Sequence, residues 1–279
     1  MKLSQLISLL SDDVLVASDG FTRSLVCSCL EPQCAETEFS KRVKSSLAVK
    51  PEVSSEGLAT ITIRGAMAHN PDALDMFFNG TEDSGAITDS IMQCANDHAI
   101  RGVMLDVDSP GGMFTGGPEM SDAVAESDSS KPTIVWTGGS LTSLGYMLAA
   151  PARVIIASQS SRVGGIGTFL ALPDVTKMLE NLGIKMDLFK NSDGTFKAIG
   201  VPGVPLTDAQ RAHLQSQTDS IHSIFANIVT TNRPDVKPES MKGQTFTGLE
   251  AQKVGLVDAI GSRAYALGVL RQLASQNNK

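Results

Sequence analysis

The amino-acid sequence predicts an α/β fold organised around a largely parallel sheet. Three observations carry this. Segments of strand length recur at residues 58–65 (LATITIRG, which alternates), 102–107 (GVMLDV, a short apolar run), 133–137 (TIVWT) and 153–157 (RVIIA). A turn and a helix-length segment separate one run from the next, at about 25 to 30 residues per unit, which is the rhythm of βα crossovers. Apolar residues make up 42% of the 279, enough to bury a sizeable core.

Residues 1–56 read differently. They are mixed and polar, with one stretch of helical character at 5–17, and end in AVKPEVSSEG, a Pro/Ser/Glu/Gly linker. A flexible N-terminal arm is therefore expected, followed by one organised domain over residues 57–279. After the first strand, residues 87–99 have helical apolar spacing. The buried strand 102–107 runs into the tight turn DSPGG, and residues 118–126 form the next helix. The strand 133–137 is followed by GGSLTSLGYMLAA, a turn and an apolar helix. Residues 173–181 are expected to be helical and 184–189 (IKMDLF) to alternate as a strand. A long amphipathic helix spans 206–232, with Thr207 as its cap, Asp208 in its first turn, and Leu214, Ile221, Ile224, Phe225 and Ile228 on one side. Helices at 246–254 and 265–273 follow.

Composition excludes several function classes. Net charge is −7 with no Lys/Arg-rich run, and aromatics are 5%, so no nucleic-acid partner is expected. The opening MKLSQLISLL is broken by Asp12 and Asp13, too early for a secretory core, and no run approaches the roughly 18 apolar residues of a membrane span. A soluble cytoplasmic protein is expected. Cys27, Cys29 and Cys34 lack paired spacing and a nearby histidine, and with Cys94 they read as free thiols. No metal or cofactor is expected.

The chemistry concentrates in two Gly-rich turns at the ends of predicted strands, where sites gather in open α/β sheets. In Asp108-Ser109-Pro110-Gly111-Gly112 the Gly-Gly pair lets backbone amides turn toward a ligand, as an oxyanion hole requires. The second turn offers three hydroxyls, Ser140, Thr142 and Ser143. A nucleophilic serine needs a base. The histidines, His69, His98, His213 and His222, do not follow Ser143 closely, and the last two read as ordinary helix residues. A buried lysine can serve once low dielectric removes its proton. Lys197, flanked by Phe196, Ala198 and Ile199 in a Gly/Pro-rich loop, is one candidate, and Lys190 is the other.

DSPGG, then TSLGY, then RVGGIGT, then a lysine ahead of GVPGVPLTDAQR, in that order, resembles the signal peptide peptidase A family, in particular the branch that matures phage capsids. FTGLEAQKVGLVDAIG is similar to the family's closing segment. The likeness covers roughly residues 58–273 and leaves the first 55 aside. It implies a crotonase/Clp-protease-like spiral of ββα units with a largely parallel sheet. It implies a serine endopeptidase with Ser143 as nucleophile and Lys197, 197 − 143 = 54 residues later, as general base. Gly111 would supply an oxyanion amide, with Gly112 beside it and Leu144 as a second donor. Ser140 and Thr142 are then turn or capping residues. The expected partners are protein or peptide substrates, with scaffold, portal and coat proteins of an assembling procapsid foremost, and further copies of the chain in a cyclic homo-oligomer. Small residues around Ser143 suggest small or apolar side chains at the cleavage site.

The sequence departs from the family pattern at two points. Gly165 stands where many relatives carry a Ser or Thr that holds the lysine amine, with Ser160, Ser161 or Thr168 as substitutes. Leu144 is bulkier than the Gly or Ala that relatives often carry, which narrows the pocket. Alternative readings are a catalytically inactive ring of capsid assembly and a general signal-peptide or protein-degrading peptidase. A Clp-type enzyme would need a histidine near position 168, which is Thr168. A hydratase would need carboxylates between Gly138 and Phe169, where there are none.

Overall fold

The computed structural model describes residues 49–276, apart from 73, 74, 77 and 78. The expected helix at 5–17 and Cys27, Cys29 and Cys34 lie outside the described residues. The elements in order are β1 (Glu52–Val53), β2 (Leu58–Arg64), β3 (Met67–Ala68), β4 (Glu82–Asp83), α1 (Ser84–Asn96), β5 (Gly102–Asp108), α2 (Gly117–Ser130), β6 (Thr133–Thr137), β7 (Ser140–Thr142), α3 (Leu144–Ala149), β8 (Val154–Ala157), β9 (Arg162–Gly164), α4 (Thr176–Asn181), α5 (Asp208–Asn232), β10 (Thr245–Thr247), α6 (Gly248–Lys253), β11 (Ala259–Ile260) and α7 (Arg263–Gln276).

The contacts divide the chain into two compact units. The described part of the larger comprises residues 49–168 and 221–276, and that of the smaller is Phe169–Ser220. In the larger unit six strands form one sheet in the order β1-β2-β5-β6-β8-β11. Every pairing is parallel except β1 with β2. A second sheet, β10-β9-β7, holds short strands that follow the main ones in sequence. The succession β6, β7, α3 is thus a ββα unit with its first strand in one layer and its second in another. The expected α/β spiral with a largely parallel sheet is the architecture found.

Both faces of the main sheet are covered, which is why β5, β6 and β8 read as continuous apolar runs rather than as alternating ones. Val103, Leu105 and Val107 of β5, Val135 of β6 and Ile155 of β8 pack with α1, α2 and α3. Met104, Ile134 and Ile156 point the other way and pack with Ala266, Leu270 and Ala274 of α7. Asp106 shares that second face and is only 3% exposed. A buried carboxylate must be paired, and Asp106 holds Arg64 and Arg263, each at 2.6 Å.

Several expected boundaries move, each for a local reason. The linker contains β1, which pairs as Glu52↔Thr60 and Val53↔Ala59. The helix expected at 87–99 is α1, three residues earlier. Asp83 starts it by accepting from Gly85 N–H at 3.0 Å. At its far end the Lys131 ammonium takes the carbonyls of Cys94, Asp97 and Ile100 at 2.8–3.1 Å. Cys94 is a buried free thiol, and burial pushes its pKa up to about 11. Phe246 belongs to β10, and α6 begins only after Thr247, whose side chain and that of Glu250 form a capping box. On the long helix Phe225 and Val229 are buried, whereas Ile224 is exposed.

The smaller unit departs most. Residues 184–189 form no strand. Lys185 and Asp187 form an ion pair at 3.4 Å, but Ile184, Met186, Leu188 and Phe189 stay exposed, the last at 94%. Alternation alone does not make a strand without a neighbour to hydrogen-bond to. The helix expected at 173–181 starts only at Thr176, whose N–H is taken by Asp174. Thr207 caps α5 as expected, exchanging hydrogen bonds with Gln210 at 3.0 and 3.3 Å.

Arg233, 8% exposed, fastens the end of α3. It donates to the carbonyls of Ala150 and Ala152 and forks onto both oxygens of Asp258 at 2.8 and 3.0 Å. Asp258 in turn accepts from Ile155 N–H at 2.7 Å. Replacing Arg233 by Met leaves these acceptors without a donor. Urea unfolding of Arg233→Met should show a loss of about 2–3 kcal/mol; a loss below about 0.5 kcal/mol would contradict this role.

Candidate active site

The turn after β5 and the turn after β7 are laced into one object. Ser109 N–H donates to the Ser140 carbonyl at 2.7 Å, and Thr142 N–H returns to the Ser109 carbonyl at 3.2 Å. The Thr142 hydroxyl donates to the Pro110 carbonyl at 2.9 Å. The Asp108 carboxylate accepts from Ser140 N–H at 2.8 Å. Ser140 and Thr142 were expected in a turn or a helix cap. They instead form β7, a three-residue strand too short to show a period.

This lacing delivers Ser143 at the junction of β7 and α3 with φ 53° and ψ −123°. A left-handed φ on a serine is uncommon and stores roughly 1–3 kcal/mol, which the surroundings must hold in place. Ser143 N–H is anchored to the Gly164 carbonyl at 2.8 Å. Ser143 occupies the N-cap of α3, yet its hydroxyl makes no cap hydrogen bond. A serine at that position ordinarily spends its oxygen on the helix, so this one is left for chemistry. Ser143 is half-buried, and the Leu144-Gly145-Tyr146 segment behind it is buried. Tyr146 OH donates to the Leu256 carbonyl at 2.9 Å, and burial raises the phenol's pKa.

The Gly-Gly pair touches the serine directly. A Cβ on Gly111, whose φ is 112°, would lie 2.6 Å from Ser143 Cβ and 3.0 Å from Ser143 Oγ. The two amides differ, however. Gly111 N–H donates to Ser109 Oγ at 3.1 Å and is committed within the turn. Gly112 pairs with Met67 through the Gly111 carbonyl and Met113 N–H, both at 2.9 Å. In such a parallel bridge the central residue's own N–H points away from the partner, and Gly112 is exposed. Leu144 N–H, at the first helical position, precedes the helix's own ladder. Gly112 and Leu144 therefore carry the uncommitted amides beside Ser143. The Leu144 side chain, expected to crowd the pocket, packs against Gly117, where a Cβ would lie 2.5 Å from Leu144 Cδ1.

Gly165 has a steric reason. Its φ is 63°, and a Cβ there would approach Ser143 N to 3.2 Å and Thr142 Cβ to 3.4 Å. Of the expected substitutes, Ser161 spends its hydroxyl on the Thr137 carbonyl at 2.9 Å, and Ser160 sits beside Ser158 at 3.4 Å.

The structure brings Ser143, Gly111, Gly112 and Leu144 together in the larger unit. Lys197 belongs to the smaller one. There it lies in a turn, its N–H on the Gly194 carbonyl at 3.1 Å, just before Ala198 at φ 65°. Two contacts fix this loop on α5: Phe196 stacks on His213 at 4.7 Å between centroids, and Gln210 donates to the Thr195 carbonyl at 2.8 Å. His213 thus has a packing role. The burial expected around Lys197 is not found among the described residues, where its side chain is exposed. Phe196 turns to His213 instead of covering the amine. The competitor Lys190 is folded onto the Gly194 carbonyl at 3.0 Å.

Gly112 has no room for a side chain, since a Cβ would lie 1.9 Å from the Met67 carbonyl oxygen. Gly112→Ala must push β3 off the turn. It should lower stability by about 2 kcal/mol or more and abolish reaction of Ser143 with a fluorophosphonate; normal stability and labelling would contradict the geometry.

Comparison with known proteins places the chain in a family. A chain of Methanocaldococcus jannaschii named as a protease is 34% identical over 185 residues, which cover 65% of this chain and 59% of that one. Capsid assembly protease C of Escherichia phage lambda is 29% identical over 217 residues, covering 77% of this chain and 49% of that one. The chain thus spans about half the length of these relatives. Among solved structures, an enoyl-CoA hydratase of Mycobacterium smegmatis is similar with a TM-score of 0.47 at 13% identity, covering 81% of this chain and 76% of that one. The model of peptidase family S49 matches residues 125–277, more than half of the sequence and inclusive of the turn that carries Ser143. The chain belongs to peptidase family S49.

Proposed function

We propose that the chain is a serine endopeptidase working through a Ser143–Lys197 dyad. The observation that carries this reading is the left-handed Ser143, its hydroxyl uncommitted, beside the uncommitted amides of Gly112 and Leu144. Neutral Lys197 takes the hydroxyl proton as Ser143 Oγ bonds to the peptide carbonyl carbon. The two amides receive the charge that develops on the carbonyl oxygen. The C–N bond breaks, and the lysine ammonium returns the proton to the departing amine. Water, activated by the same amine, then releases the acyl group. Lys197 is preferred to Lys190 because the latter is tied to Gly194.

The amine must be neutral to act, and among the described residues it is exposed. A second copy is the natural source of cover, in keeping with a cyclic homo-oligomer. The exposed Phe169, Leu182 and Phe189 of the smaller unit are apolar surface that such an assembly would bury. Similarity to a capsid assembly protease supports proteins of phage capsid maturation as the substrates. No helix among the described residues is long and apolar enough to cross a membrane. The exposure of Lys197 favours one other reading, a ring that serves assembly without cutting.

The test compares wild type, Ser143→Ala and Lys197→Ala on an unfolded protein substrate between pH 6 and 9. Both variants should fold and lose at least roughly a thousandfold in rate. Wild-type activity should rise with pH, because raising the pH converts the ammonium to the free amine. A folded but inert wild type would favour the assembly-only ring. An active Lys197→Ala would place the base elsewhere.

A further inference from the structure

A second cleft opens at the same end of the main sheet as Ser143, and the proposed mechanism does not use it. It is lined by His69, Ser84, Thr88, Asp89, Thr115 and Glu119, with Gly85 and Gly116 in its wall. β3 connects it to the oxyanion turn. Met67 pairs with Gly112, and His69 lies two residues on, about 7 Å along an extended chain. On the other side Gly117, next to the wall residue Gly116, receives Leu144.

One buried group in the cleft is unpaired. Ser84 is 1% exposed, and its hydroxyl has no hydrogen-bond partner. It points at Gly116, where a Cβ would lie 2.3 Å from Ser84 Oγ and 3.4 Å from His69 Nδ1. A buried hydroxyl without a partner is destabilising, and a donor reaching Ser84 from the cleft would relieve that.

The electrostatics select the ligand. The N-termini of α1 and α2 converge here, each worth about half a positive charge. Against them stand Asp83, which caps α1, and the exposed carboxylates Asp89 and Glu119. Full charges outweigh the dipoles, so the cleft is net negative, and none of its described lining residues is a lysine or arginine.

We propose that this cleft is a substrate subsite that receives a lysine or arginine side chain lying within about two residues of the bond that is cut. The assignment rests on the peptidase reading and adds a cationic determinant to it. The ammonium or guanidinium sits between Asp89 and Glu119, with the hydroxyls of Thr88, Thr115 and Ser84 around it.

The test has two arms. Peptides that differ only in carrying Lys, norleucine or Glu at one position are titrated against Ser143→Ala protein, which binds without cutting. The Lys peptide should bind roughly tenfold tighter than the norleucine peptide, and Glu119→Lys in the same background should reverse the order in favour of the Glu peptide. Equal binding of all three, no binding by any, or preference for Glu in the unaltered cleft would overturn the proposal. In the second arm, cut sites made by wild type in an unfolded protein are mapped by mass spectrometry. Lys or Arg should recur at one fixed position near the cut, and cutting without such a position would overturn the subsite while leaving the peptidase intact. Lys-selective binding by a chain that cuts nothing would do the opposite.

Discussion

Everything at this site depends on the backbone of Ser143 being held at a positive φ. That conformation is unfavourable for a residue with a Cβ and would relax unless its neighbours forbade it. Strand β7 holds it from before, through Asp108, Ser109 and Pro110. Gly164 holds it from the side by taking its N–H. Arg233 holds α3 from behind, through the carbonyls just past the helix. The outcome is a serine whose hydroxyl does not cap its helix and lies against Gly111, which has no side chain. In the proposed mechanism, nucleophile and oxyanion amides thus stand on one rigid object before any substrate arrives, which is what makes electrostatic stabilisation effective.

The glycines mark where that object is too crowded for a Cβ. Gly111 touches Ser143, Gly112 touches the Met67 carbonyl, Gly117 receives Leu144, and Gly165 backs onto Ser143 N–H. The bulk of Leu144 and the smallness of Gly117 are thus two halves of one packing solution. The absence of a hydroxyl at 165 follows in the same way from a positive φ and a 3.2 Å approach.

Much of this was legible in the sequence, and the reason differs by element. The strands β5, β6 and β8 were readable because burial on both faces leaves an apolar run with sharp turn residues at its ends, and β2 was readable because it alternates. The two Gly-rich turns were readable as a pair because each follows a strand end, whereas the residues alone left Ser140, Thr142 and Ser143 open and only the family resemblance singled out Ser143. The strands β7, β9 and β10 were not, since three residues show no period and their pairing is set by distant partners. Residues 184–189 misled for the opposite reason: they alternate well but have no neighbour to pair with. The division of labour between Gly111 and Gly112 was also hidden. It depends on Ser109 Oγ taking one amide, a contact that no spacing rule reveals.

The most direct test of the account is covalent. Wild-type protein treated with a fluorophosphonate and mapped by peptide mass spectrometry should carry the phosphonyl group on Ser143, with Ser140, Thr142 and Ser109 unmodified. That outcome would mean the strained turn delivers a reactive hydroxyl. A folded protein left unlabelled, or labelled at another residue, would mean that the backbone of Ser143 serves assembly or packing and that the nucleophile has been misassigned.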